Sequence, residues 1–138
     1  MTFILERELL FEGKESTSSI SIREFSQAGA RLDITVAGTV SGKVAGQIIS
    51  THNILMKPGG TSELNLKSII FSNGEPIFAM GKATGKIVDP TPIGKIEGNF
   101  TFQTPSQKLA YLNTTKGWSE ATYNIATGVY AFKIYAVK

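Results

Sequence analysis

Side chains in this sequence change character at every second residue. Ala30, Leu32, Ile34, Val36, Gly38 and Val40 alternate with Arg31, Asp33, Thr35 and Thr39. Successive side chains of an extended chain point to opposite faces, so the pattern specifies a strand with one buried face and one wet face. Val44, Gly46, Ile48, Ser50 and Ile54 share one parity, up to a stop at Lys57-Pro-Gly-Gly60. Leu64, Leu66 and Ile70 repeat the pattern until Ser72-Asn73-Gly74-Glu75-Pro76. An Asn-Gly pair between alternating runs predicts a type I′ hairpin, in which both central residues take positive φ. Strands are expected over 77–87 and 93–103, separated by the rigid turn Asp89-Pro-Thr-Pro92. A last hairpin runs from Trp118 to Ile125, turns at Ala126-Thr127-Gly128 and returns over Val129–Val137. With a first strand over 2–12, the count is about eight, at the spacing of sandwiches and barrels.

Two segments break the alternation. Within 13–28, Ser16-Thr-Ser-Ser19 reads as loop, whereas Ile20, Ile22 and Phe25 read as partly buried. Further on, Thr104-Pro105-Ser106-Gln107 places a capping threonine before a proline suited to the first helical position, and Lys108 to Leu112 are good helix formers. One short helical turn near 105–112 follows, ending at Asn113, with Leu109 and Leu112 facing inward across an open end. It reads either as a plug that closes the core or as a lid over a cavity.

Glycine spacing narrows the architecture. Gly38, Gly42 and Gly46 are four apart, as are Gly81 and Gly85, and Gly94 and Gly98. Even spacing puts each set on one strand face, where glycine marks a bend, a bulge or a close backbone approach. Repeated across strands, it is what a small, strongly curved barrel needs to close; the same glycines also leave room for a ligand. The expected fold is therefore all-β, a small closed antiparallel barrel of about eight strands in a single domain over residues 1–138.

Composition excludes several chemistries. The 138 residues include no cysteine and a single histidine, His52, so thiolate zinc sites, cysteine nucleophiles and histidine clusters are absent. A disulfide-free chain whose opening, Met1-Thr-Phe-Ile-Leu-Glu, lacks a basic n-region is expected to be cytoplasmic. No apolar run approaches the roughly 18 residues of a spanning helix, so no membrane partner is expected. The net charge is +3, but the lysines are scattered singly rather than striped, which argues against nucleic acid. Gly81-Lys-Ala-Thr-Gly85-Lys86 is one residue short of a phosphate loop and is followed by Ile87, where a hydroxyl would be needed for magnesium. No cofactor or metal is expected.

Candidate site residues are few. His52 shares parity with Ser50 and Ile54, so it faces the interior. Glu6, Glu8 and Glu12 share what reads as a wet face, whereas Glu63, Glu97 and Glu120 become acid–base candidates if the fold turns one inward, because burial raises a carboxyl pKa. Tyr111, Trp118, Tyr123, Tyr130, Phe132 and Tyr135 crowd the last 28 residues near the helical turn. A barrel mouth lined by rings with polar tips suits a small apolar molecule with a polar end. On this reading Tyr111, Trp118, Tyr123 and His52 contact a small hydrophobic ligand, and no catalytic residue is assigned.

From Gly98 to Asn113, the run Gly-Asn-Phe-Thr-Phe-Gln-Thr-Pro-Ser-Gln-Lys-Leu-Ala-Tyr-Leu-Asn, followed by a final hairpin, resembles uncharacterised prokaryotic proteins related to the allene oxide cyclase-like barrels. The Gly74-Glu75-Pro76 turn and the Gly81/Gly85 strand are similar as well. The resemblance implies an eight-stranded calycin-like barrel. The plant cyclases of that group are trimers that confine a fatty-acid epoxide in an apolar lumen, and none of their ligand-positioning residues maps onto this chain. Three readings stay open: a non-catalytic barrel with a lumen ligand, a cyclase or isomerase working by confinement with one buried carboxyl or tyrosine, and a packed module that associates through an outer face as a homo-oligomer.

Overall fold

In a computed structural model the described residues are 7–137, and they form a closed barrel of eight strands in chain order. The strands are β1 Arg7–Ser26, β2 Gly29–Gly42, β3 Gly46–Met56, β4 Thr61–Ser72, β5 Glu75–Ile87, β6 Ile93–Gln103, β7 Lys116–Asn124 and β8 Val129–Val137. Each pairs antiparallel with the next, and β8 closes on β1 through Arg7↔Val137 to Ser16↔Val129. Closure gives each strand a partner on both sides, although β1 has both only over Phe11–Ser16, and it removes the sheet edges where the pairing is double. Among the described residues no helix is long and apolar enough to cross a membrane. Of the first strand expected over 2–12, residues 2–6, Glu6 among them, lie outside the described residues.

The alternating pattern places its apolar members inside. Phe11, Val36, Ile48, Leu66, Ile70, Ile77 and Phe132 are buried, while Arg31, Lys67, Lys82 and Lys133 between them point outward. Asn73 (φ 52) and Gly74 (φ 79) both adopt positive φ, as a type I′ turn between β4 and β5 requires. Gly38 lets β1 pass close to β2, since a Cβ there would overlap the Lys14 carbonyl. Gly81 instead makes room inside, where the Phe100 ring lies over it.

The segment expected as loop is strand. Ser16–Ser19 continues β1, because β2 pairs along it as far as Ser26↔Gly29. Register shifts at Thr17/Ser19 and Ile22/Glu24 mark two bulges, and a bulge bends a strand without ending it. After each bulge the parity changes, which brings Ile20, Ile22 and Phe25 onto the same face as Phe11 and Gly13.

One end of the barrel is plugged. The β6–β7 connection carries a single 3₁₀ turn, Ala110–Thr114, whose Leu112 is fully buried, with Leu109 packed against the core. Thr104 does not cap this turn. Its Oγ1 donates to the Pro76 carbonyl (2.8 Å) and accepts from the Ser106 N–H (3.1 Å). Asn113 clamps the loop by accepting from the Thr104 N–H (2.7 Å) and donating to its carbonyl (3.1 Å). Above the plug, rings fill the lumen: Phe11 meets Phe102 and Phe132 edge-on at 6.1 and 6.2 Å, and Tyr130 stacks on Phe132 at 5.5 Å.

Candidate functional site

The filling stops at His52. Its ring meets the Tyr130 ring edge-on at 4.7 Å, and it is 3% exposed. On the side away from the plug, an open cavity of about 180 Å³ begins, with His52 on its floor. Its walls are mainly aliphatic: Ile34, Ile54, Leu64, Ile87, Ile96 and Ile125, with Tyr123 beside them. Gly85 and Gly94 line it too. A Cβ on Gly94 would meet Ile87 Cδ1 and the Tyr123 carbonyl oxygen at 3.8 Å, an ordinary contact, whereas one on Gly85 would overlap Ser62 Oγ.

Beneath His52 lies a buried polar cluster. Glu15 is 1% exposed, and Ser50 Oγ, itself within 2.6 Å of Ser68 Oγ, donates to Glu15 Oε1 at 3.1 Å. Glu15 Oε2 and Ser119 Oγ have no hydrogen-bond partner. Both residues, with His52 and Tyr130, border a void of about 10 Å³, no larger than one water. Loss of solvent raises the Glu15 pKa to about 7, against a smaller lowering by Ser50. Burial lowers that of His52 to about 4, so its imidazole is neutral at neutral pH. Burial, and then the nearby Glu15 charge, push the Tyr130 phenol upward; Ser119 offsets this slightly, although it makes no hydrogen bond of normal geometry. This set can hold a proton on a carboxyl near neutrality, and His52 borders both its small void and the mouth cavity.

The four residues expected to contact a ligand separate into two pairs. His52 and Tyr123 line the mouth cavity together, and the Tyr123 hydroxyl lies 2.8 Å from Thr17 Oγ1, which also donates to the Gly128 carbonyl. Trp118 sits on the outer face between Asn99 and Tyr135, since its neighbours Gly117 and Ser119 take the inward positions. Tyr111 is on the exposed side of the plug, at the other end of the barrel. The three candidate acids also point outward: Glu63 pairs with Lys57, Glu120 with Arg7, and Glu97 is exposed. The inward carboxyl is Glu15, two residues beyond Gly13 in the parity of Phe11.

The outer wall carries an apolar row. Ile49, Ile69 and Phe78 are cross-strand neighbours on β3, β4 and β5, flanked by Phe71 and Met80, all partly exposed. Among the described residues no group of three or more His, Asp or Glu side chains is gathered to hold a metal.

No family model matches the chain. No curated protein matches it either. Solved structures do. A β-barrel-like protein from Acinetobacter baumannii is 20% identical with a TM-score of 0.85, covering 100% of this chain and 99% of that one. A protein of unknown function from Clostridium acetobutylicum is 18% identical with a TM-score of 0.86, covering 98% and 100%. An enzyme from Penicillium herquei is 18% identical with a TM-score of 0.76, covering 100% and 98%. At these identities the likeness is one of fold.

Proposed function

We propose that this barrel binds a small, largely apolar molecule end-on in its mouth, with the molecule's polar end on His52 and Tyr123. The observation that carries this reading is the cavity of about 180 Å³, walled by aliphatic side chains and floored by a neutral imidazole. Apolar walls with few, convergent polar groups are what small-molecule sites present. The plug and the ring-filled lower lumen leave the mouth as the binding end. The reading agrees with the allene oxide cyclase-like resemblance, in which an apolar lumen confines the ligand. A fluorescence titration with the apolar probe N-phenylnaphthylamine tests it. Enhanced emission that Ile54→Trp abolishes by filling the cavity supports the reading, and emission indifferent to that substitution contradicts it.

A second reading, a cyclase or isomerase acting by confinement, is favoured by one feature: the Glu15 carboxyl buried below His52 with a free Oε2 and a pKa near 7. Glu15 does not line the mouth cavity but shares a one-water void with His52, which does, and through that pair a proton can pass to a confined substrate and return, with no net consumption. That one structural neighbour is described as an enzyme points the same way. Glu15→Gln keeps the shape and removes the acid. Once a ligand is known, turnover lost in that variant with binding retained would identify the barrel as an enzyme.

A further inference from the structure

The mouth is lopsided. Pairing of β1 with β8 ends at Ser16↔Val129, but β1 runs on beside β2 to Ser26. β2 in turn stays paired with β3 to Ala30↔Met56, so β1–β3 form a tall wall on one side of the opening. The inner face of this wall is apolar above the cavity. Ile20 and Leu32 belong to the cavity lining; Ile22 is the cross-strand partner of Leu32, and Phe25 that of Ala30 in the next row up. Yet Ile20, Ile22 and Phe25 are 57%, 59% and 77% exposed. At the β7–β8 turn, which also borders the cavity, Ile125 is 53% exposed as well. Exposed apolar side chains grouped on one face mark a surface that something covers.

We infer that this wall is the outer half of the binding site, with Ile22 and Phe25 closing on the part of a bound molecule that stands above the cavity. The inference rests on the lumen-binding reading and extends it. Continuity identifies the occupant: the apolar face begins inside the cavity at Ile20 and Leu32 and rises from it without a polar break on the inward positions. Four strand residues separate the row of His52 from that of Met56, Ala30 and Phe25, a rise of about 13 Å. The fitting ligand is therefore polar at the end that faces His52 and apolar over the rest of that length. The two bulges, at Thr17/Ser19 and Ile22/Glu24, give β1 the places to bend inward on contact. Thr17 anchors the base of the wall, its N–H donating to the Gly128 carbonyl at 3.0 Å.

The test uses N-phenylnaphthylamine with the wild-type chain, Ile22→Ser/Phe25→Ser and Ile54→Trp. The first variant alters exposed side chains and leaves the core intact. Stopped-flow release of the probe is expected to be at least about tenfold faster in it, as lost contacts act mainly on dissociation. Saturating the wild type with probe is expected to slow amide exchange across residues 18–26. Binding blocked by Ile54→Trp, together with an unchanged release rate and no protection of 18–26, would overturn the role of the wall and leave the cavity reading standing. Binding that Ile54→Trp does not affect, or no binding, would overturn both. A wild-type dimer that Ile22→Ser/Phe25→Ser turns into a monomer, with release unchanged, would make this face a contact between copies and refute the inference.

Discussion

Ser50 Oγ donates a hydrogen bond to Glu15 Oε1 across 3.1 Å, deep in the barrel, and the second carboxylate oxygen has no partner. One neutral hydroxyl does not repay the desolvation of a carboxylate, so Glu15 holds its proton up to a pH of about 7. His52, one row above Ser50 on the same strand, is displaced the opposite way, to about 4.

The two groups set opposing slopes of stability against pH. Glu15 binds a proton more tightly in the folded state, so its contribution falls as pH rises from about 4.5 to about 7. His52 binds one more tightly in the unfolded state, so its contribution rises as pH goes from about 4 to about 6.5. Each shift corresponds to something on the order of 3 kcal/mol, and between pH 5 and 6.5 the wild type is expected to be nearly flat. Urea unfolding across this range should show Glu15→Gln gaining stability with pH and His52→Gln losing it. Parallel curves for all three chains would contradict the assigned pKa values.

The plug should matter to the whole barrel. Leu112 is fully buried against the ring-filled lumen, and truncating such a side chain typically costs 2–5 kcal/mol. Leu112→Ala is expected to lose about that much in denaturant unfolding, whereas Tyr111→Ala, on the exposed side of the same turn, should change stability by less than about 0.5 kcal/mol. Equal effects would mean that the turn does not close the core.

Two interior glycines should differ sharply. A Cβ on Gly81 would lie 2.6 Å from the buried Phe100 ring, and overpacking of this kind costs about 1–3 kcal/mol. A Cβ on Gly94 would sit at ordinary contact distance, 3.8 Å from Ile87 Cδ1 and from the Tyr123 carbonyl oxygen, so Gly94→Ala should be tolerated within about 0.5 kcal/mol. Thermal unfolding of the two alanine variants measures the contrast directly.

Much of this was legible in the alternation alone. Strands, hairpin turns and the inward position of His52 all follow from side chains that point to opposite faces in turn. Trp118 shows the limit of reading by residue type: crowding of aromatics near the chain end suggested a lumen contact, while its odd-numbered neighbours Gly117, Ser119 and Ala121 already claimed the inside. Glu15 was hidden for a different reason. Ser16–Ser19 has the composition of a loop, and only pairing with β2 keeps it extended, so the inward parity of Phe11 and Gly13 appeared to end before the carboxyl. Bulges defeat period-two reading in the same way, since each inserts a residue that composition does not announce. The depth at which filling gives way to cavity depends on ring positions such as Phe100 over Gly81, which no local pattern encodes.

The most direct test of the central claim is native mass spectrometry of freshly purified protein, repeated after denaturation. The account predicts a species heavier than the chain by the mass of a small, mostly apolar molecule. That mass should vanish on unfolding and fail to appear in Ile54→Trp. Protein found only at the chain mass or its whole multiples, and still bare after incubation with N-phenylnaphthylamine, would contradict a ligand in the barrel mouth.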